Sequence, residues 1–301
     1  MEIRKLEDFV VLAKAQKTKK RIVVAAAHLQ SALNAVKEAA EMGIVTPILV
    51  GDKAKINKIA ADISWDISKI NIIDQKDNVK AIIASVALIR EGKADILMKG
   101  IVATKDLLKI ILDKEIGLRK EKIISHIAFF ESPYYHKLFC ITDAAMAINP
   151  DLATKTHMIN NAVTTYIKLG IEKPKVAILA PVEVVNPEME ATVHAALLTQ
   201  MNRRGQIKNC IVDGPLSLDN IISKKAAQEK GIDSEVAGDT DIIVTPDINT
   251  GNTLYKSLNF LGGTSSAAIV TGAIAPIVLT SRSDDRITKL MSIALAAALK
   301  Q

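Results

Sequence analysis

Aromatic residues are scarce in this chain. They make up 3% of its 301 residues, with a single tryptophan, so the core must be built from Ala, Ile, Val and Leu. Such an interior suits buried parallel strands and Ala-rich helices better than an aromatic-rich β-sandwich. Cysteine is rarer still. Cys140 and Cys210 stand far apart without metal-type spacing, which argues against a disulfide framework and makes a reducing cytosol the expected compartment. Met1 to Val10 carries charges throughout and lacks the apolar centre of a signal peptide. The long uncharged stretch Ser257–Ser281 contains Gly262, Gly263, Gly272, Pro276 and several hydroxyls, the composition of loops and strands rather than of a membrane span. No GxGxxG follows the first strand, no GxxxxGK[ST] occurs, and no acidic metal cluster is evident. The five histidines, His28, His126, His136, His157 and His194, show no pairing at metal spacing, so no metal site is expected.

What is present is an ordinary globular composition, with 49% hydrophobic and 24% charged residues and a length that suits two α/β domains. The net charge is +6. A solvated Lys-rich surface accounts for it, and so does a field that attracts anionic ligands. The basic residues are scattered and no aromatic-interleaved stripe accompanies them, so nucleic acid is not an expected partner. A small phosphorylated cofactor fits better.

Apolar runs alternate with helical patterns along the first half. Strands are expected at Ile22–Ala26, Pro47–Val50, Asn71–Ile73 and Ala94–Met98. Helices are expected near Leu6–Ala13 and over Ser31–Met42, Asn78–Arg90 and Thr104–Leu112. This is the signature of βαβ units and a parallel sheet. From Ile127 the pattern changes to a hairpin, Ile127–Glu131 and Lys137–Ile141 joined by Ser132–His136, followed by a helix over Leu152–Leu169. Further expectations are strands at Val176–Leu179, Ile207–Val212, Asp241–Val244, Ala268–Val270 and Pro276–Leu279, with helices over Pro187–Arg203, Leu218–Glu229, Thr253–Leu261 and Asp284–Leu299. Residues 1–126 with 272–301 are expected to form a first, discontinuous domain, and 127–271 a second.

Open α/β sheets bind ligands where strands end, and five such junctions carry polar residues. In Met98–Thr104 (MKGIVAT), Gly100 permits close backbone approach, Lys99 adds charge, and Thr104 is placed to cap a helix. Asp143 follows Thr142 at a strand end and precedes Asn149-Pro150-Asp151, a turn by itself. Asp143 is suited to orient a substrate amide or hydroxyl, or to hold a turn. Asp213 precedes Gly214-Pro215 and ties down that turn. In Asp247–Lys256, Gly251 and Asn252 place donors at an expected helix start with Lys256 one turn on, a fair anion site. In Leu279–Arg286, Arg282 can grip a phosphoryl group bidentately and Ser281 can donate to an oxyanion. Asp284 can accept a thiol proton, and Asp285 suits a helix cap. His126, after Ser125 at a strand start, and His28, after the first strand, are placed to line a cleft. Cys210, inside an apolar strand, is expected to be inert.

The blocks DINTGNTLYK (Asp247–Lys256), LTSRSDDRITKLMSIALA (Leu279–Ala296), VDGPLSLD (Val212–Asp219) and MKGIVAT, with Asp143 and Asn149-Pro150, resemble the phosphate acetyltransferase and phosphate butyryltransferase family, the butyryl branch most closely. The resemblance covers nearly the whole chain. It implies two three-layer α/β domains around a cleft, similar to isocitrate and isopropylmalate dehydrogenases, and a homo-oligomer built through the second domain. It implies the reaction acyl-CoA plus phosphate giving acyl phosphate plus CoA, with coenzyme A a substrate and no tightly bound cofactor. Its catalytic Ser–Arg pair falls on Ser281 and Arg282. The acetyl branch places its thiol base, an Asp, seven residues after that Ser. Here Thr288 stands there, and Asp284 is the replacement candidate.

The partners expected are acyl-CoA, inorganic phosphate and acyl phosphate, with phosphate held by Arg282, Lys256 and the backbone of Gly100 or Gly251. Arg119 or Lys120 is expected at a rim for the nucleotide. The remaining candidate contacts are Lys99, Thr104, Ser125, His126, Asp143, Asn149, Asp213 and Asn252. Three rivals stand beside butyryl transfer: the same reaction on acetyl-CoA, a dehydrogenase on the same scaffold, and a non-catalytic acyl-CoA or phosphate-binding module. A pocket separates acyl chains by only about 1–3 kcal/mol per methylene, so the sequence does not choose between butyryl and acetyl transfer.

Overall fold

The computed structural model describes residues 3–280 and 284–300. Its elements run in chain order as α1 (Glu7–Lys14), β1 (Lys20–Ala25), α2 (Gln30–Glu41), β2 (Val45–Gly51), α3 (Lys53–Asp62), β3 (Asn71–Asp74), α4 (Asn78–Arg90), β4 (Ile96–Lys99) and α5 (Thr104–Ile111). They continue with β5 (Ser125–Glu131), β6 (Phe139–Thr142), α6 (Leu152–Leu169), β7 (Lys175–Leu179), α7 (Glu190–Arg203), β8 (Ile211–Leu216), α8 (Leu218–Ile222) and α9 (Lys224–Glu229). The last are β9 (Ile242–Val244), α10 (Ile248–Phe260), β10 (Ser265–Thr271), β11 (Ile277–Val278) and α11 (Arg286–Ala298).

The chain forms two compact units. A terminal unit comprises Glu7–Lys122 and Ala267–Lys300, and a middle unit comprises Met1–Leu6 and Ile123–Ser266. These bounds differ by a few residues from the 126/127 and 271/272 divisions expected from sequence, for local reasons. Ser125 already belongs to β5, which pairs with β6. Val270 of β10 pairs with Ile277 of β11 in the terminal unit, and the Leu6 amide donates to Glu131 in the middle one.

In the terminal unit the strand order is β3-β2-β1-β4-β11-β10, parallel except where β10 meets β11. The four inner residues of β1 and all of β4 are buried, which is why these strands read as short unbroken apolar runs. Helix α11 is buried along almost its whole length and packs on α1, α2 and β11. Its Ala-rich sequence lets it approach them closely. In the middle unit the order is β5-β6-β9-β7-β8, with β5 and β6 antiparallel and the others parallel. The aromatic residues that exist gather here. Phe129 stacks on Tyr166 with centroids 5.2 Å apart, and Phe130 on Phe139 at 5.6 Å.

Five helices begin on an Asp whose carboxylate accepts the backbone N–H three residues on: Asp52 before α3, Asp77 before α4, Asp151 before α6, Asp247 before α10 and Asp285 before α11. Each such cap is worth about 1 kcal/mol. The Asp247 cap corrects the expected start of α10 at Thr253, because it launches the helix five residues earlier, through Asn-Thr-Gly-Asn. Helix α3 had no counterpart in the sequence pattern, since only Ile56 and Ala60 of it are buried. Strand β8 corrects a further expectation. It begins at Ile211 and runs through Gly214-Pro215 rather than stopping before a turn. It lies at the end of the strand order, where a residue without an N–H is tolerated. The helix expected over Leu218–Glu229 is broken at Ser223, whose side chain caps α9. Among the described residues no helix is long and apolar enough to cross a membrane.

Candidate active site

Strand ends in the middle unit converge on Asp143. Its carboxylate is 1% exposed with the rest of the residue and accepts three backbone N–H groups: His126 at 2.8 Å, and Ala145 and Met146 at 2.7 Å each. An anion so supplied is held firmly, and it has little left to offer a ligand. Asp143 therefore fixes the turn after β6 and the start of β5 together. Its carbonyl is fixed as well. Thr245, after β9, donates its hydroxyl to it at 3.0 Å, and Gly251 packs so closely that an added Cβ would lie 2.2 Å from the carbonyl oxygen. The glycine of the Asn-Thr-Gly-Asn block thus serves close packing.

The Gly251 N–H donates to Asp247 O at 3.0 Å inside α10, so it is not the ligand donor expected from sequence. Asn252 Nδ2 donates to the Ala144 carbonyl at 3.1 Å. His126, 6% exposed, sits edge-on to Tyr255 with centroids 6.0 Å apart. On the other face of β5, the buried Ser125 hydroxyl accepts from Asn161 of α6 at 2.9 Å.

The structure thus brings Ser125, His126, Asp143, Gly251 and Asn252 together. Asn149 lies exposed in the loop before Pro150, and Lys256 is exposed on α10. Asp213 stands within β8, its carboxylate accepting the next residue's amide. Thr245, Asn161 and Tyr255 were not singled out from sequence. The signal for Asn161 was present: a polar residue among the buried Met158, Ile159 and Ala162 of α6.

In the terminal unit, β1 and β4 end side by side with Ala25 opposite Lys99. The N–H groups of Gly100 and Ile101 donate to the Ala25 and Ala26 carbonyls at 2.9 and 3.0 Å. The chains are so close that a Cβ on Gly100 would lie 2.1 Å from Ala26 O. Gly100 is therefore required by packing, and its amide, like that of Gly251, is already committed rather than open to phosphate. Lys99 is 6% exposed, and its amine reaches the Gly100 and Val102 carbonyls at 3.5 and 3.4 Å. Thr104 is exposed as the first residue of α5. The capping position belongs to Ala103, which has no side-chain acceptor, so the expected Thr104 cap is corrected. Arg119 and Lys120 are exposed. Arg119 bridges Ala273 through its backbone, and the Lys120 amide donates to Gly272.

Ser281 and Arg282 lie outside the described residues. Just after them, Asp285 spends a carboxylate oxygen on the Thr288 amide at 2.6 Å, while the Asp284 carbonyl accepts from the Lys289 amine. Burial lowers the Lys289 pKa, opposed by Asp284 and Asp285. Burial also pushes the Cys210 thiol up to about 11, and the fully buried Cys140 thiol is raised as well. Neither sulfur is a ready nucleophile. Among the described residues no group of three or more His, Cys, Asp or Glu side chains is placed to hold a metal ion.

The family model "phosphate acetyl/butaryl transferase" matches residues 9–81 and 75–297. The chain is 46% identical over 278 residues to a phosphate butyryltransferase of Clostridium beijerinckii, covering 92% of each. It is 42% identical to a phosphate acetyltransferase of Thermotoga maritima, covering 97% of this chain and 98% of that one. Among solved structures, a branched-chain phosphotransacylase from Enterococcus faecalis aligns with a TM-score of 0.82 at 33% identity, over 93% of this chain and 98% of the other. A 4-hydroxythreonine-4-phosphate dehydrogenase from Burkholderia phymatum aligns at 0.58 with 14% identity, over 95% of this chain and 100% of the other. That last likeness shows the fold alone, a dehydrogenase-like α/β arrangement.

Proposed function

The chain belongs to the phosphate acetyl/butaryl transferase family, and from that premise we propose that it moves a butyryl-sized acyl group between coenzyme A and inorganic phosphate by direct transfer in a ternary complex. The observation that carries the acyl choice is the 46% identity to a phosphate butyryltransferase across 92% of both chains. In the direction of acyl phosphate, a phosphate oxygen attacks the thioester carbonyl carbon and a C–O bond forms. The tetrahedral oxyanion then collapses, the C–S bond breaks, and the departing thiolate takes a proton. In reverse the CoA thiolate attacks the acyl phosphate.

Ser281 and Arg282 are the donors we assign to the oxyanion, a stabilisation of about 3 kcal/mol per donor. Asp284 is the group assigned to the thiol proton. It stands in for the Asp of the acetyl branch, whose position holds Thr288 here, and its neighbour Asp285 caps α11. Direct transfer needs no acyl-enzyme, and the raised pKa of Cys210 is in keeping with that. A stable acyl adduct on Cys210, detected by mass spectrometry during turnover, would refute it.

We also propose a homo-oligomer in the cytosol, built through the middle unit. Tyr134, Phe260 and Leu261 are exposed there at 85%, 71% and 87%, apolar surface that association would cover. Light scattering at micromolar concentration tests it, and a monomer would contradict it.

The substrate assignment is tested by initial rates of CoA release with acetyl-, propionyl-, butyryl- and valeryl-CoA at saturating phosphate. Butyryl-CoA is expected to give the highest kcat/KM. A maximum at acetyl-CoA would keep the reaction and overturn the acyl choice.

A further inference from the structure

His28, in the terminal unit, has no part in the chemistry described so far. The strand order of that unit reverses between β1 and β4: β2 and β3 lie on one side of β1, and β4, β11 and β10 on the other. Ligands of open α/β sheets settle outside the carboxyl ends of strands at such a point. Here the segments leaving the sheet are cross-bonded. The Ala27 amide donates to Val50 O and the Leu29 amide to Ala27 O, beside the Gly100 and Ile101 bonds to β1. His28 stands on this fixed turn.

Its Nδ1 is buried and has no hydrogen-bond partner among the described residues, and a Cβ on Gly51 would lie 3.0 Å from it. No described residue bonds its Nε2 either, and that nitrogen is not among the buried unpartnered atoms, so it meets solvent. A buried lone pair without a partner is better tolerated than a buried N–H, so the proton belongs on Nε2. Burial, with help from Lys55 and against Asp52, holds the ring neutral.

The surroundings favour an anion. The buried Lys99 ends β4, opposite Ala25, and Lys53 opens α3 beside the Asp52–Lys55 pair. The carboxylates of the same edge are committed. Asp52 accepts the Lys55 amide at 3.2 Å and pairs with its amine at 3.4 Å, and Asp74 accepts the Lys53 amide at 3.0 Å.

We propose that His28 is a binding residue for a phosphate oxyanion, its Nε2–H donating to a phosphate oxygen at the β1–β4 switch point. This rests on the acyl-transfer activity, in which such oxygens come from inorganic phosphate or from the phosphates of coenzyme A. The test is steady-state CoA release by the full chain, wild type against His28→Leu, His28→Ser and His28→Gln. Phosphate is varied at saturating butyryl-CoA, then butyryl-CoA and its 3′-dephospho analogue at saturating phosphate.

Losing one hydrogen bond to a charged acceptor predicts a KM about tenfold higher in His28→Leu, with kcat within about twofold and partial recovery in His28→Gln. A rise confined to inorganic phosphate names that source. A rise with butyryl-CoA that is absent with the dephospho analogue names the 3′-phosphate, and a rise with both thioesters names the pyrophosphate. Unchanged KM values for every substrate overturn the proposal while leaving acyl transfer intact. A folded wild type that releases no CoA overturns the activity on which it rests. His28→Ser reads the same quantity if His28→Leu does not fold.

Discussion

At the carboxyl edge of the middle unit, polar groups answer one another: Asp143 takes three amides, Thr245 and Gly251 close on its carbonyl, Asn252 binds Ala144, and Asn161 binds Ser125. The corresponding edge of the terminal unit is finished differently. Helices α2 and α5, which leave β1 and β4, have no side-chain cap, and His28 has no hydrogen-bond partner among the described residues. Two units with similar strand ends thus use them for different ends. One spends its polar side chains on holding loops in place, and the other leaves the His28 ring without a partner among the described residues at its switch point. A polar residue at a strand end is therefore not by itself a sign of ligand contact. What separates the cases is whether its hydrogen bonds are already made.

The two edges are represented by Asp143, with three bonds of 2.7–2.8 Å, and Lys99, whose amine reaches two carbonyls at 3.4 and 3.5 Å. Asp143→Ala orphans three amides and should cost about 3–5 kcal/mol of stability in urea titration. Lys99→Met, which removes a buried amine that reaches the Gly100 and Val102 carbonyls, should cost less, about 1–3 kcal/mol, and lower kcat/KM as well. Equal stability losses would erase the distinction. Ser281→Ala should lose about a hundredfold in kcat, roughly 3 kcal/mol of barrier, with an unchanged urea midpoint.

Gly100→Ala and Gly251→Ala both force a methyl group into a backbone carbonyl and should each cost about 1–3 kcal/mol. Here the two edges should behave alike, because close packing serves both. Among the two carboxylates before α11, Asp285→Ala should lose about 1 kcal/mol of stability with its cap and retain thiol attack. Asp284→Asn should slow thiol attack and flatten its acid limb. Interchanged outcomes would reverse the roles.

The smallest effect expected is a pH dependence in the middle unit. Partial burial pushes the Asp239 carboxyl up, but hydrogen bonds from Lys175, Lys137 and His136 outweigh this and hold it well below the usual carboxylate range. A depressed carboxylate stabilises the fold fully above its unfolded pKa of about 3.9 and progressively less as pH falls below it. The side chain is 40% exposed, so solvent screening limits the contribution to about 0.5–1 kcal/mol. Asp239→Asn should remove it at pH 7 and narrow the stability difference between pH 7 and pH 3. An undiminished difference would show that the acid sensitivity lies elsewhere.

Much of this was legible in the residues. The helix over Leu152–Leu169 and the strands Pro47–Val50 and Val176–Leu179 follow from local apolar patterning, and Asp285 declares itself as a cap three residues before Thr288. The family resemblance rested on contiguous blocks that need no fold to be seen. Other features depend on partners distant in sequence. Gly251 reads as a phosphate-loop glycine until the Asp143 carbonyl, more than a hundred residues earlier, is found against it. Asp143 reads either as a ligand group or as the holder of a turn until its three amides are counted. The early start of α10 and the passage of β8 through Pro215 follow from a cap and from an edge position, neither of which periodicity records.

The most direct test of the central claim is release of free CoA from butyryl-CoA by the purified chain, followed with a thiol reagent, with and without inorganic phosphate. The account predicts release that requires phosphate, saturates with it and yields butyryl phosphate in equal amount. Folded protein that releases no CoA, or releases it at the same rate without phosphate, would contradict it.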